Sequence, residues 1–333
     1  MTFSKLSRGR VAVLALTFAL IGALSLFGAT AAYAQATHTW LSGVGDDANP
    51  CSRTAPCRSF TGIVPKTAAG GLISILDPGS FGGIYITKAL TIEVEPGYGG
   101  VLNAAVIRGV DIFAGPTDVV VLRGLQLQGG GTGQIGLRLV TGAALILEDC
   151  SISGSPGGVG IEFSPSAASM LNIRHSVISG NGSPSATVSG GILVRPRGGT
   201  GSAKVFLDDV KVTGNTMGIR GESADSAPAG VTITAVDSVF ASNTYGGVVA
   251  LTSTSNTAPV KIVLDHVTTA LNGTNGLNAN GFNARISIGR STIFANTVGV
   301  NPENGGQIIS TGGNQLLANT SYNGGFSSTV PMQ

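Results

Sequence analysis

The sequence predicts an all-β solenoid, short strands wound into stacked coils, and three observations carry that prediction. First, an apolar alternation closed by Asn keeps returning: HSVISGN ends at Asn181, DVKVTGN at Asn215, DSVFASN at Asn243, HVTTALN at Asn272, RSTIFAN at Asn296 and NQLLAN at Asn319. Self-similarity at steps of 34, 28, 29, 24 and 23 residues is the signature of a stacked array. Second, a Gly-aliphatic pair follows the Asn, as Gly218-Ile219, Gly247-Val248, Gly276-Leu277 and Gly299-Val300. Third, 51 glycines and a charged fraction of only 11 % describe a chain of tight corners, in which Gly, Pro or β-branched residues interrupt nearly every window a helix would need.

Taken in chain order, residues 1–34 read as a secretory signal. Lys5, Arg8 and Arg10 precede an apolar run from Val11 to Phe27, and Ala32-Tyr33-Ala34 forms a small-x-small cleavage site before Gln35. Cleavage leaves 16 Lys and Arg against 17 Asp and Glu, and no second segment could cross a bilayer. Without a clustered basic field a nucleic-acid partner is excluded; Arg195-Pro196-Arg197, the nearest approach to one, reads as a solvated loop.

Residues 35–69 read as an N-terminal cap. Cys51 and Cys57, in NPCSRTAPC, are expected to form a local disulfide in an oxidising compartment, whereas Cys150 sits in an apolar repeat and reads as a buried thiol. No His or Cys pairs fall at metal-ligand spacing. Residues 70–325 form the solenoid, and 326–333 a C-terminal tail.

Within each coil, apolar residues ten and eight positions before the Asn (Leu171 and Ile173, Val205 and Leu207, Ile262 and Leu264, Ile286 and Ile288) form one strand of alternating pattern. Ile178, Val212, Phe240 and Ile293, three before it, form a second inward column. Stacking such coils at about 4.8 Å makes parallel sheets. The Asn then shapes a corner in the left-handed conformation, and its amide bonds the amides above and below as a ladder. Variation in length falls in insertions at 182–189, 221–230 and 252–259, with the last two expected to wall a groove.

The opening HTWLSGVGDDANPCSRTAPCRSF and the following AAGGLISILDPGSFGGIYITKALTI, with the Asn-ladder coils behind them, resemble secreted bacterial right-handed parallel β-helix proteins of the pectate-lyase-like superfamily over residues 38–325. The resemblance implies a single right-handed parallel β-helix with an internal Asn ladder, and a short amphipathic helix over Ser59 to Ala69 capping the first coil. Trp40 is expected to pack under that cap. The fold hosts lyases, hydrolases, epimerases and adhesins, so it does not choose an activity.

A calcium-dependent lyase of this kind needs several carboxylates around the cation and a Lys or Arg to take the proton beside the uronate carboxyl. The local candidates are Asp208, Asp209 and Lys211 in LDDVKV, and Asp265-His266 in VLDHVTT, where Asn272 and Asn275 stand in place of further Asp residues. A column six residues before each ladder Asn, formed by Asp149, His175, Asp209, Asp237, His266 and Arg290, presents charge along one corner. Asp209 and Asp237 in neighbouring coils could serve a hydrolase as acid and base, with Lys211 or Arg220 as an alternative base. Against that stands a charge-balanced, solvated sheet edge. The favoured function is a non-catalytic, monomeric, glycan-binding or surface module, secreted or periplasmic, with an extracellular polysaccharide as partner and no cofactor. The alternative is a lyase or hydrolase of acidic polysaccharide, with Ca²⁺ if a lyase. Fragments such as GGGTGQIG at 129–136 lack the strand-to-helix setting of a phosphate loop.

Overall fold

The computed structural model describes residues 35–330, apart from 96–99, 104–107, 132, 187, 256, 323 and 324. The predicted signal segment 1–34 and its cleavage site lie outside the described residues. Among the described residues no helix is long and apolar enough to cross a membrane.

One coil shows how the sequence makes the architecture. Ser202–Asp208 runs along a first sheet, Lys211–Thr213 along a second and Ile219–Glu222 along a third, after which Val231–Val236 rejoins the first. Repetition yields, among the described residues, parallel sheets of 12, 9 and 9 strands. Strands a coil apart pair in register, so like residues stack: Leu171 on Val205, then Ile233, Ile262, Ile286 and Ile308. All six are at most 4 % exposed. Branched aliphatics suit this site because each meets its counterpart above and below across a pleated, fully buried face. The second-sheet column Ile178, Val212, Phe240 and Ile293 and the third-sheet column Ile219, Val248, Leu277 and Val300 close the core at 0 % exposure.

The Asn side chains form the ladder at the corner between the second and third sheets. Nδ2 of Asn181 donates to Oδ1 of Asn215 at 3.0 Å, and the chain of bonds continues through Asn243, Asn272 and Asn296 to Asn319. Each Oδ1 also accepts the backbone N–H of the preceding ladder Asn, as from Asn215 to Asn243 at 3.1 Å. Ser155, one coil earlier, lacks the amide but still donates its N–H to Asn181. The left-handed residue at this corner is not the Asn. It is the residue before it: Gly180, Gly214, Ser242, Leu271, Ala295 and Ala318 have φ of 63°, 64°, 55°, 56°, 51° and 54°. This corrects the expectation for the Asn, which is kept for its two-sided amide.

The Gly of the following pair has a steric cause. A Cβ on Gly247 would lie 2.9 Å from Asn272 Nδ2 and 2.8 Å from the Gly276 carbonyl, so the ladder amide occupies the space a side chain would need.

At the N-terminal end, Ala36–Leu41 is the outermost strand of the first sheet, and the Cys51–Cys57 disulfide hairpin folds over it through a Leu41–Cys57 bridge. The cap helix is a single turn, Phe60–Ile63, followed by a 3₁₀ turn at Val64–Lys66; Ser59 Oγ accepts from Gly62 N–H at 3.1 Å. Trp40 bonds the disulfide hairpin through its backbone, its N–H donating to the Cys51 carbonyl at 2.8 Å. It alternates outward from the first strand, half-buried, and stacks on His38 at 3.8 Å. Within the expected tail, Ser328–Thr329 adds a last strand to the first sheet beside Ile309–Ser310.

Candidate functional site

The charged column stands at the corner between the first and second sheets, and all its members are exposed. All also share one backbone state: φ is 55° at Asp149, 46° at His175, 50° at Asp209, 49° at Asp237, 50° at His266 and 50° at Arg290. Gly124 holds the same place in an earlier coil at 68°. Asp, His and Gly are the residues that enter the left-handed region at least cost, so a turn requirement accounts for most of the column before any chemistry is invoked. Directly after it, serine hydroxyls of Ser176, Ser238 and Ser291 accept the N–H of Cys150, Val210 and Val267, a shorter polar ladder.

The structure brings some of the candidates together and separates others. Arg290 Nε donates to Asp265 Oδ1 at 2.9 Å, and His266 Nδ1 lies 3.3 Å from Asp265 Oδ2. The Arg290 guanidinium, followed in effect by His266, holds the Asp265 carboxyl below its usual range. Beside this pair, Val263, Ser287 and Thr311 line a hollow of about 370 Å³ on the outer face of the first sheet. Asp149 and His175 approach to 3.8 Å. Asp209 and Asp237 make no ion pair, and Lys211 projects, exposed, from the second sheet. Arg220 belongs to the third sheet, paired there between Leu193 and Val249, and its guanidinium bonds Glu222. It shares no surface with Asp209. Of the two candidate bases, Arg220 therefore lies away from that corner, whereas Lys211 stands two residues from Asp209.

Asp265 already spends its carboxylate on Arg290, and among the described residues no three His, Cys, Asp or Glu side chains converge.

Arg195 and Arg197, read from sequence as a solvated loop, are clamped instead on Glu162, whose side chain is 6 % exposed; Arg195 reaches it at 3.6 Å. On the same outer face of the third sheet, Arg138 bonds Asp111 at 2.8 and 2.9 Å and lies over the Phe113 ring, which stacks on Tyr85 at 5.1 Å.

Further along this face lies a groove that the sequence reading did not assemble. Its floor comes from two outward columns in register: Arg220, Val249 and Asn278, and beside them Glu222, Leu251, Asn280 and Glu303. Val249 and Leu251 make the floor apolar between polar ends. Met217 and Tyr245, each two residues past a ladder Asn, form the wall. The hollow of about 220 Å³ continues past these two residues into another of about 280 Å³, bounded by Pro184, Ser185, Ala186 and Ser189 of the first insertion. Tyr245 Oη donates to the Pro184 carbonyl at 3.1 Å, which fixes the ring at the junction. The insertions at 221–230 and 252–259, expected to wall a groove, lie instead at the corner between the third and first sheets.

Glu303 ends the groove in a network of amides. Its Oε2 accepts from Asn278 at 3.2 Å and Asn280 at 3.1 Å, and its Oε1 accepts from Asn301 at 2.7 Å. An apolar floor, one aromatic and planar polar groups at the edge suit a ligand with an apolar face and hydroxyl-bearing rims.

No protein-family model matches the chain. No curated protein matches it either. Among solved structures, pectate lyase Pel9A superposes with a TM-score of 0.65 at 14 % identity, over 88 % of this chain and 79 % of that one. A GH136 lacto-N-biosidase from Eubacterium ramulus gives 0.40 at 9 % identity, over 84 % and 67 %. The first likeness, with three parallel sheets and a corner Asn ladder already described, identifies the chain as a right-handed parallel β-helix of pectate-lyase-like fold.

Proposed function

We propose that the protein is an exported, non-catalytic β-helix that binds carbohydrate in the groove on its third sheet. The observation that carries this reading is the juxtaposition of Val249 and Leu251 with Tyr245 on one side and the Asn278, Asn280 and Glu303 network on the other. A sugar ring has an apolar face for such a floor and hydroxyls for such a rim. The groove offers no carboxylate pair astride a bond, because Glu222 is tied to Arg220 and Glu303 to three amides. Export is supported by the basic, apolar and small-x-small order of residues 1–34 and by the Cys51–Cys57 disulfide.

The test is calorimetric titration of the purified protein with a panel of oligosaccharides, repeated with Tyr245→Ala. The reading expects at least one saccharide to bind and the variant to weaken it about tenfold, the share of one stacking aromatic. No heat with any saccharide would defeat it.

A second reading, cleavage of acidic polysaccharide, is favoured by the Asp265, His266 and Arg290 cluster beside the 370 Å³ hollow on the first sheet. Ultraviolet absorbance of unsaturated uronate products would establish a lyase there; a flat trace together with no release of reducing ends removes both enzyme forms.

A further inference from the structure

We infer that the third-sheet groove selects an uncharged oligosaccharide over a uronate, and that Glu303 is the residue that sets this selectivity. The inference rests on the carbohydrate-binding reading above. A carboxylate offers roughly four acceptor positions and no donor. At Glu303 three are taken, two on Oε2 by Asn278 and Asn280 and one on Oε1 by Asn301, so the free acceptor is on Oε1. The three amide donors fix the group in place, and it remains exposed at the end of the groove. What completes it is a ligand donor, a sugar hydroxyl.

The positive charge in the groove does not offset this. Two charged groups line it, Arg220 and Glu303, and the Arg220 guanidinium is already engaged by Glu222 of its own strand. A ligand carboxylate brought against Glu303 meets like charge, while Arg220 is held by Glu222, which is how a site rejects a partner as well as choosing one. The two hollows on either side of Tyr245, about 280 and 220 Å³, together lie within the ~300–1,000 Å³ of small-ligand clefts and make the bound segment longer than one ring.

The experiment titrates the purified protein with neutral gluco-, galacto-, manno- and xylo-configured hexaoses and with the galacturonate hexamer, then repeats the series with Glu303→Gln. Expected for the unaltered protein is binding of at least one neutral hexaose, with the galacturonate hexamer at least tenfold weaker; this comparison needs no variant to fold. In Glu303→Gln, which keeps the side-chain shape, the neutral ligand weakens about tenfold, the loss of one charge-assisted bond, and the gap to the galacturonate hexamer narrows. A galacturonate hexamer that binds as tightly as every neutral one overturns the inference and leaves carbohydrate binding intact. So does a Glu303→Gln protein of unchanged melting temperature and unchanged affinities. Absence of binding by all hexaoses overturns the carbohydrate reading itself and the selectivity with it.

Discussion

Asn215 donates twice to one atom of Asn243: its side-chain Nδ2 at 3.3 Å and its backbone N–H at 3.1 Å both end on Oδ1. Asn215 Nδ2 also reaches the carbonyl of Ile178 in the preceding coil at 2.9 Å. Each interior ladder residue thus ties together three coils, and its removal orphans groups on both sides.

Asn215→Ala should therefore cost about 3 kcal/mol, because several buried donors and acceptors lose their partner at once. Asn319→Ala, at the half-buried end of the ladder, should cost about 1 kcal/mol. Urea unfolding of the two variants measures the difference, and equal costs would contradict a directional ladder.

At Asp237, with φ of 49°, conformation rather than charge should govern stability. Asp237→Gly is expected to leave the melting temperature unchanged or raise it, while Asp237→Val costs about 1–2 kcal/mol from the left-handed backbone. Thermal denaturation of the pair decides the point. A Gly variant as unstable as the Val one would return the column to an electrostatic role.

The Asp265 carboxyl is held below its usual range chiefly by the hydrogen bond from Arg290. A lowered folded pKa means that the pair favours the folded state above the unfolded carboxyl value and loses that contribution as pH falls through the lower, folded one. Arg290→Gln should move the Asp265 titration upward toward ordinary carboxyls, read by NMR of its side-chain carbon. Both groups are largely solvated, so the melting temperature near neutrality should barely change.

Cys150 is buried, and burial pushes its thiol up to about 11. A native thiol of that kind should resist alkylation at pH 8 and react fully only in denaturant. Mass spectrometry of iodoacetamide-treated protein with and without urea tests this, and rapid native labelling would contradict the packed position.

The fold was legible because the period survives insertions: Val205 and Leu207 sit at fixed offsets from Asn215, and those offsets are the register of a sheet. The conformations at the corners were not. Asn215 and Asp209 each suggested a role by residue type, but a left-handed turn can be satisfied by Gly214 or by Asp209 itself, and only dihedral angles distinguish a residue kept for its backbone from one kept for its side chain. The groove was the least legible part. Tyr245, Asn278 and Glu303 are far apart in sequence and share no spacing, since coils of unequal length bring them together. Its one signal was local: NGLNANG at 275–281 places Asn at outward positions where neighbouring coils carry Val249 and Leu251.

The ladder also gives the molecule a direction. Between side chains, each Nδ2 from Asn181 to Asn296 donates to the Oδ1 of the ladder Asn one coil nearer the C-terminal end. A whole coil, from one ladder Asn to the next, is then an interchangeable unit whose excision rejoins donor to acceptor in the same sense. A cut that removes part of a strand or corner breaks the chain of amides and slips the sheets out of register, whereas one confined to a corner insertion changes only the length of a loop. Growth and shortening of such a rod are quantised, and a surface groove spanning neighbouring coils can be gained or lost in a single step without redesign of the interior.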